Sequence, residues 1–231
     1  MFPLLYDSTY VLVVIGAVLV MIVQLYLTNT FNKYQNVTSK SGLTATEACK
    51  IILSNSNIDN VQIGHVAGNL TDHYAPTRKI LNLSDTTYNS KSIASIGVAA
   101  HEVGHAIQDY KKMFLLNFQM SIVPVVNFAS RLSMPAIFIG IILSEARLIE
   151  LGIMLFGATL FYQIITLPIE YNASHNAIEA LRESRIMDED ELYGVRKVLN
   201  AAALTYVAAA ASSMLQLLRF VILLNGNRRN D

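Results

Sequence analysis

Cysteine is almost missing from this chain: Cys49 is the single one in 231 residues. One thiol closes no internal disulfide and makes no CxxC zinc site, so any metal must be held by histidine and carboxylate. Charge is scarce as well. Only 15% of the residues are charged and 53% are hydrophobic, whereas soluble domains carry about 25% and about 45–50%, and that shift points to the membrane. Net charge is zero, with 17 basic residues against 17 acidic ones, so no field gathers nucleic acid, and no basic stripe with interleaved aromatics is present. Internal repeats, low-complexity tracts and Gly/Ser linkers are absent too. Composition sets no oligomeric state.

What is present is a set of long apolar runs. Residues 9–27 are apolar except for Gln24, close to the roughly 20 residues that carry a helix across about 30 Å of hydrocarbon. The residues before this run carry only Asp7, without the basic segment of a signal peptide, so the span is expected to be retained. A second span is placed at 124–143, after a stretch interrupted by Pro124, Arg131 and Pro135. A third follows at 148–167, with Pro168 marking its exit, and a fourth at 202–224. Arg219, near the end of the fourth, is expected to snorkel to the interface. Arg131 is expected either to face the bundle or a wet cavity, or to be interfacial.

Lys33, Lys40, Lys50, Arg78, Lys79, Lys91, Lys111 and Lys112 lie between the first two spans, and Arg182, Arg185, Arg196 and Lys197 between the last two. The positive-inside rule puts both segments, 28–120 and 168–200, in the cytoplasm and both termini outside, against the opposing votes of Arg147, Arg228 and Arg229. The expected fold is a single integral-membrane domain, mainly α, with about four transmembrane helices and a small cytoplasmic α/β portion.

Within the first polar segment, Thr44 and Glu47 have capping-box spacing and predict a short helix. Val61–Val66 and Arg78–Leu83 are β-prone runs that suggest a small hairpin or meander. Residues 92–110 are proline-free with high helix propensity, and they contain His101-Glu102-Val103-Gly104-His105. The acidic run Asp188–Glu191 reads as a solvated helix start.

On a helix, residues i and i+4 share a face, so His101 and His105 can aim at one ion while Glu102 projects beside an open coordination position. That is the layout for zinc-assisted hydrolysis, with Glu102 as general base. The motif arises by chance in on the order of 1% of chains of this length. The expected cofactor is one catalytic Zn2+, although a His/His/Glu set accepts other divalent ions. Glu170, just past Pro168, is the candidate third ligand, because two crossings return the chain to the side it left; the alternative is a solvated carboxylate favoured by a helix dipole. Ala99, Ala100, Gly104 and Ala106 are small enough for a neighbouring helix or a substrate to pack closely.

Further along, the sequence resembles the YugP-like neutral zinc metallopeptidases, membrane proteins of bacteria related in layout to gluzincins such as HtpX and the CAAX prenyl proteases. The resemblance rests on Gly42–Ala45, on Gly68–Tyr74 through Pro76, on Ala99–Gln108 and on Thr166–Ser174. It implies zinc on His101, His105 and Glu170 with Glu102 as base, in a multi-pass protein of the bacterial inner membrane. Many gluzincins carry Asp four residues after the ligand Glu to orient a histidine; Ser174 stands there, and a hydroxyl accepts that hydrogen bond less strongly. Position 75 is Ala where the family is expected to favour Asp.

His175 is about 140° round the helix from Glu170, a poor co-ligand that is either a packing histidine or an oxyanion donor. His65 and His73 read as structural hydrogen-bonding residues, with Asp72 and His73 a supporting pair only if the strands pack on the motif helix. The strand edge around Val61–Leu70 is either covered or open to an extended peptide. The expected partners are the bilayer and a peptide or membrane-protein substrate. The rival readings are a zinc amidase acting on a lipid-linked substrate and a catalytically silent scaffold or chaperone-like relative.

Overall fold

The computed structural model describes residues 7–228, the side chains of 226–228 excepted. It is mainly helical: α1 (Tyr10–Gln35), α2 (Ala45–Asn55), α3 (Ile93–Tyr110), α4 (Phe114–Ile142), α5 (Ala146–Glu183) and α6 (Glu189–Arg228), with three short strands between α2 and α3. Four helices, α1, α4, α5 and α6, are long and apolar enough to cross a membrane. On α1, Val11, Met21, Ile22 and Leu25 are each more than half exposed, a surface that suits lipid rather than water.

Proline does not end these helices where the sequence suggested. α4 begins ten residues before Pro124 and runs through it and Pro135, and α5 runs through Pro168 instead of stopping there. Each proline removes one backbone donor, but in a long apolar helix every other amide keeps its intrahelical partner, and breaking the run would strand many more. A consequence is that α5, at 38 residues about 57 Å long, carries both an apolar stretch and Glu170. Glu170 is therefore not at a helix start.

Packing divides the chain into two compact units. One comprises the chain up to Gln24, Phe118–Leu167 and the chain from Thr205. Its helices touch through small residues: a Cβ on Gly16 would lie 2.6 Å from Ser212 Oγ, and one on Gly152 would lie 2.8 Å from the Ser133 carbonyl, the kind of approach that lets apolar helices associate without a hydrophobic drive. Arg219 turns to partners within the protein. It is buried, 3.3 Å from Asp7 Oδ2 and above the Tyr10 ring, because a carboxylate and an aromatic face already compensate its charge. Arg131 lies on an exposed face of α4. Arg229 and the side chain of Arg228 lie outside the described residues.

The other unit, Leu25–Asn117 with Pro168–Leu204, has a core that includes Ile52, Leu81, Leu83, Ile96, Val103, Leu181, Leu192 and Val195, all fully buried. Each such side chain contributes roughly 1.5–3 kcal/mol relative to exposure. α2 starts where the spacing predicts: Thr44 accepts from the Glu47 amide at 3.2 Å, and Glu47 accepts from the Thr44 amide at 2.8 Å. A reciprocal cap also opens α6, between Asp188 and the Glu191 amide. Glu191 is buried rather than solvated, since its carboxylate also takes the Lys40 amide at 2.8 Å.

The strands, β1 (Gln62–Val66), β2 (His73–Ala75) and β3 (Ile80–Ser84), lie in the order β1-β3-β2. β2 and β3 form an antiparallel pair, while β1 runs parallel to β3. The two β-prone runs are thus neighbours but not a hairpin or meander. The chain returns through residues 67–72, where Gly68 and Leu70 take positive φ and the Asp85 carboxylate accepts the Gly68 amide. The Thr44→Ala variant is expected to lose about 1 kcal/mol of stability, read as a lowered melting temperature in detergent and faster amide exchange in α2.

Candidate metal centre

α3 and α5 meet almost backbone to backbone. A Cβ on Gly104 would stand 2.2 Å from the Ala173 carbonyl oxygen, so only glycine permits this approach. The contact places one face of α3, with His101 and His105 a turn apart, against the turn of α5 that carries Glu170 and Ser174. His101 Nε2 lies 3.2 Å from Glu170 Oε2, and His105 Nε2 lies 3.7 Å from Glu170 Oε1. The two imidazoles are nearly perpendicular, at 85°, with centroids 4.8 Å apart. One donor atom from each of the three residues fits within 4.8 Å of the others, and among the described residues this is the grouping of His, Cys, Asp and Glu that could hold an ion.

The outer nitrogens are held by the protein. His101 Nδ1 lies 3.1 Å from Ser174 Oγ, and His105 Nδ1 lies 3.0 Å from Gln108 Oε1. Gln108 is 1% exposed, and its Nε2 donates to the Ile169 carbonyl at 2.8 Å and to Asn172 Oδ1 at 2.9 Å. A carbonyl only accepts, so the amide orientation is fixed and Oε1 must face His105. His105 Nδ1 therefore carries the hydrogen, and its Nε2 keeps a lone pair for a cation.

The donor set fits a divalent ion: two imidazoles turned inward by partners at their outer nitrogens, and a carboxylate that is 8% exposed. Burial opposes charge on His101, yet the hydrogen bond to Glu170 and the fields of Glu102 and Glu170 hold its pKa above the ordinary imidazole value. A metal ion there would compete with a proton for the same nitrogen lone pair.

Glu102 projects beside these residues, and its Oε2 accepts the Tyr74 amide of β2 at 2.8 Å. Tyr74 is anchored in turn, its hydroxyl donating to Asp109 Oδ2 at 2.6 Å; Lys79 pairs with the same oxygen. Burial first, and then this bond to the Asp109 carboxylate, push the Tyr74 hydroxyl pKa up, so it stays a neutral donor. The strand edge at the site is therefore that of β2, and not the one around Val61–Leu70.

Other candidate residues stand apart. Asp72 accepts from the Ser84 amide and from the hydroxyls of Ser84 and Thr87, which ties the β1–β2 connection to the end of β3. His73 is exposed and bonded through Nδ1 to the Thr71 carbonyl and through Nε2 to Asn82, so the Asp72–His73 pair does not form. His175 is exposed and outside the grouping. His65 faces Asp85 at 2.8 Å and the Tyr88 ring. Cys49 is fully buried in α2, and burial pushes its thiol pKa far up, which leaves it inert. Gln108 was within reach of sequence reasoning as the residue three after His105. Tyr74, Asp109 and Asn172 were not.

The whole apolar and polar pattern also has a known counterpart. Residues 9–225 match the model of a family described as "Putative neutral zinc metallopeptidase". The chain belongs to that family. A curated relative, "Putative membrane protease YugP" of Bacillus subtilis (strain 168), is 46% identical over 209 residues, covering 90% of this chain and 92% of the relative. No solved structure matches. Family and relative together make this chain a membrane protein of a zinc metallopeptidase family, and the grouping of His101, His105 and Glu170 is where its residues suit zinc.

Gly104→Ala is expected to force α3 and α5 apart, costing about 3 kcal/mol and abolishing stoichiometric zinc binding, as read by melting and by metal analysis. Ser174→Ala and Gln108→Leu are each expected to weaken zinc affinity about 10–100-fold in competition with a chelating dye, while the chain stays folded.

Proposed function

We propose that the chain is a zinc-dependent peptidase working at the cytoplasmic face of the membrane, with His101, His105 and Glu170 as metal ligands and Glu102 as general base. The observation that carries this reading is the convergence of two imidazole Nε2 atoms on one buried carboxylate, with a second carboxylate beside them. Zinc, when bound there, polarises a carbonyl and lowers the pKa of a water towards about 7.

The chain's own residues do the rest. Glu102 takes a proton from the attacking water as its oxygen bonds to the carbonyl carbon, and passes that proton to the amine nitrogen as the C–N bond breaks, so one water is consumed and acid and amine leave. The Tyr74 amide fixes the rotamer of Glu102, so the base does not have to be ordered during the reaction. Ser174 and Gln108 keep the imidazoles turned inward. The cytoplasmic placement is supported by the Lys and Arg clustering between α1 and α4 and between α5 and α6.

Purified wild type is expected to hold about one zinc per chain and to cleave casein or membrane-protein substrates. Glu102→Gln should keep the metal and lose cleavage by about 10²–10⁴-fold, whereas Glu170→Ala should lose the metal. A wild type that binds no zinc overturns the peptidase reading in favour of a scaffold. The orientation has its own readout: because Cys49 is buried, an impermeant thiol reagent should label Glu145→Cys in intact cells and Lys91→Cys only after lysis.

A further inference from the structure

Away from the metal centre, α1 and α6 border an open cavity of about 360 Å³ lined by Tyr26, Asn29, Thr30, Lys33, Tyr34, Tyr193 and Lys197. We propose that it binds the phosphate of an anionic glycerophospholipid headgroup, gripped by Lys33 and Lys197 and framed by the three tyrosines.

The placement along each helix is the first argument. The lining segment of α1 begins as its apolar run 9–27 ends, and that of α6 lies just before its apolar run 202–224 begins. Each helix thus brings tyrosine and lysine to the boundary of its own apolar stretch, the level at which tyrosine rings and lysine ammoniums settle among headgroups.

Charge is the second. From Ser8 to Thr46, and from Leu192 to Asn225, there is no Asp or Glu. The acidic start of α6 is engaged elsewhere, Glu189 by Arg182 and Glu191 by the Lys40 and Asp188 amides. Among the described residues neither lysine makes a salt bridge. Lys197 sits over the Tyr193 ring at 5.0 Å, and the hydrogen bond to Tyr193, with the fields of Tyr193, Tyr26 and Tyr34, keeps its pKa raised. Two ammoniums without a carboxylate attract a phosphate and repel the cation of a choline or ethanolamine headgroup, and Lys33 and Lys197 already lie over the Tyr34 and Tyr193 faces that would otherwise receive such a cation. Asn29 and Thr30 add neutral groups for glycerol hydroxyls.

The cavity is also built. A Cβ on Gly194 would lie 2.8 Å from Tyr34 Cε1, so the bare backbone there lets the Tyr34 ring lie against α6 as a wall of the cavity.

The test is native mass spectrometry of the full chain in detergent, titrated with phosphatidylglycerol, phosphatidylcholine, sn-glycerol 3-phosphate and inorganic phosphate. Phosphatidylglycerol should bind more tightly than phosphatidylcholine, with affinity falling about fivefold for Lys33→Gln or Lys197→Gln and about thirtyfold for both. Replacing both lysines with Arg should retain it, and Lys91→Gln should be neutral. Equal affinity for the two lipids, or an unchanged double variant, overturns the proposal. Binding of glycerol phosphate or inorganic phosphate as tight as that of the lipid overturns the lipid as the source. Should the double variant unfold, the two single variants decide: weakened binding in each supports the site, and unchanged affinity in both overturns it.

Discussion

Everything at the metal centre depends on one contact, the missing side chain of Gly104 against the Ala173 carbonyl. Helices normally pack with axes about 8–10 Å apart because side chains stand between them. Here the backbones touch, and the gain is reach: a glutamate and a serine on α5 stand within hydrogen-bonding distance of imidazoles on α3. Ala100, one turn before Gly104 on the same face of α3, is fully buried as well. It contributes little area and leaves room for the larger groups to converge.

A second layer of constraint comes from Gln108. Its amide is oriented by the Ile169 carbonyl and by Asn172, both on α5, so the helix that supplies the carboxylate also sets the hydrogen on His105. One helix pair thus sets the placement of these side chains and the hydrogen on His105 together. Ser174 has to turn His101 alone, and His101 already feels the negative fields of Glu102 and Glu170.

The parts of this protein set by local rules were legible in the sequence. The α2 cap, the motif helix and the four apolar helices follow from spacing and hydropathy that a single segment displays. Glu170 was legible because it stands just past the third apolar run, where an even number of crossings would return the chain to the side of the motif, and because a His/His pair calls for a carboxylate. The features that escaped depend on partners far along the chain: a three-residue strand with no hydrophobic run of its own, a parallel pairing of β1 with β3, a buried arginine matched to Asp7, and prolines absorbed by long helices. Their environment overrides their intrinsic preference.

The uninterrupted course of α5 also bears on biosynthesis. His101 and His105 leave the ribosome well before Glu170, which follows only after α4 and the apolar part of α5. A nascent chain therefore holds both imidazoles and Glu102 but lacks the Glu170 carboxylate that completes the grouping, and α5 cannot reach α3 until the intervening segments have been threaded into lipid. Such long-range contacts form late. Under the proposed peptidase reading, hydrolytic competence is thereby tied to completed insertion, so an unfinished copy has no means to attack the chains being made around it.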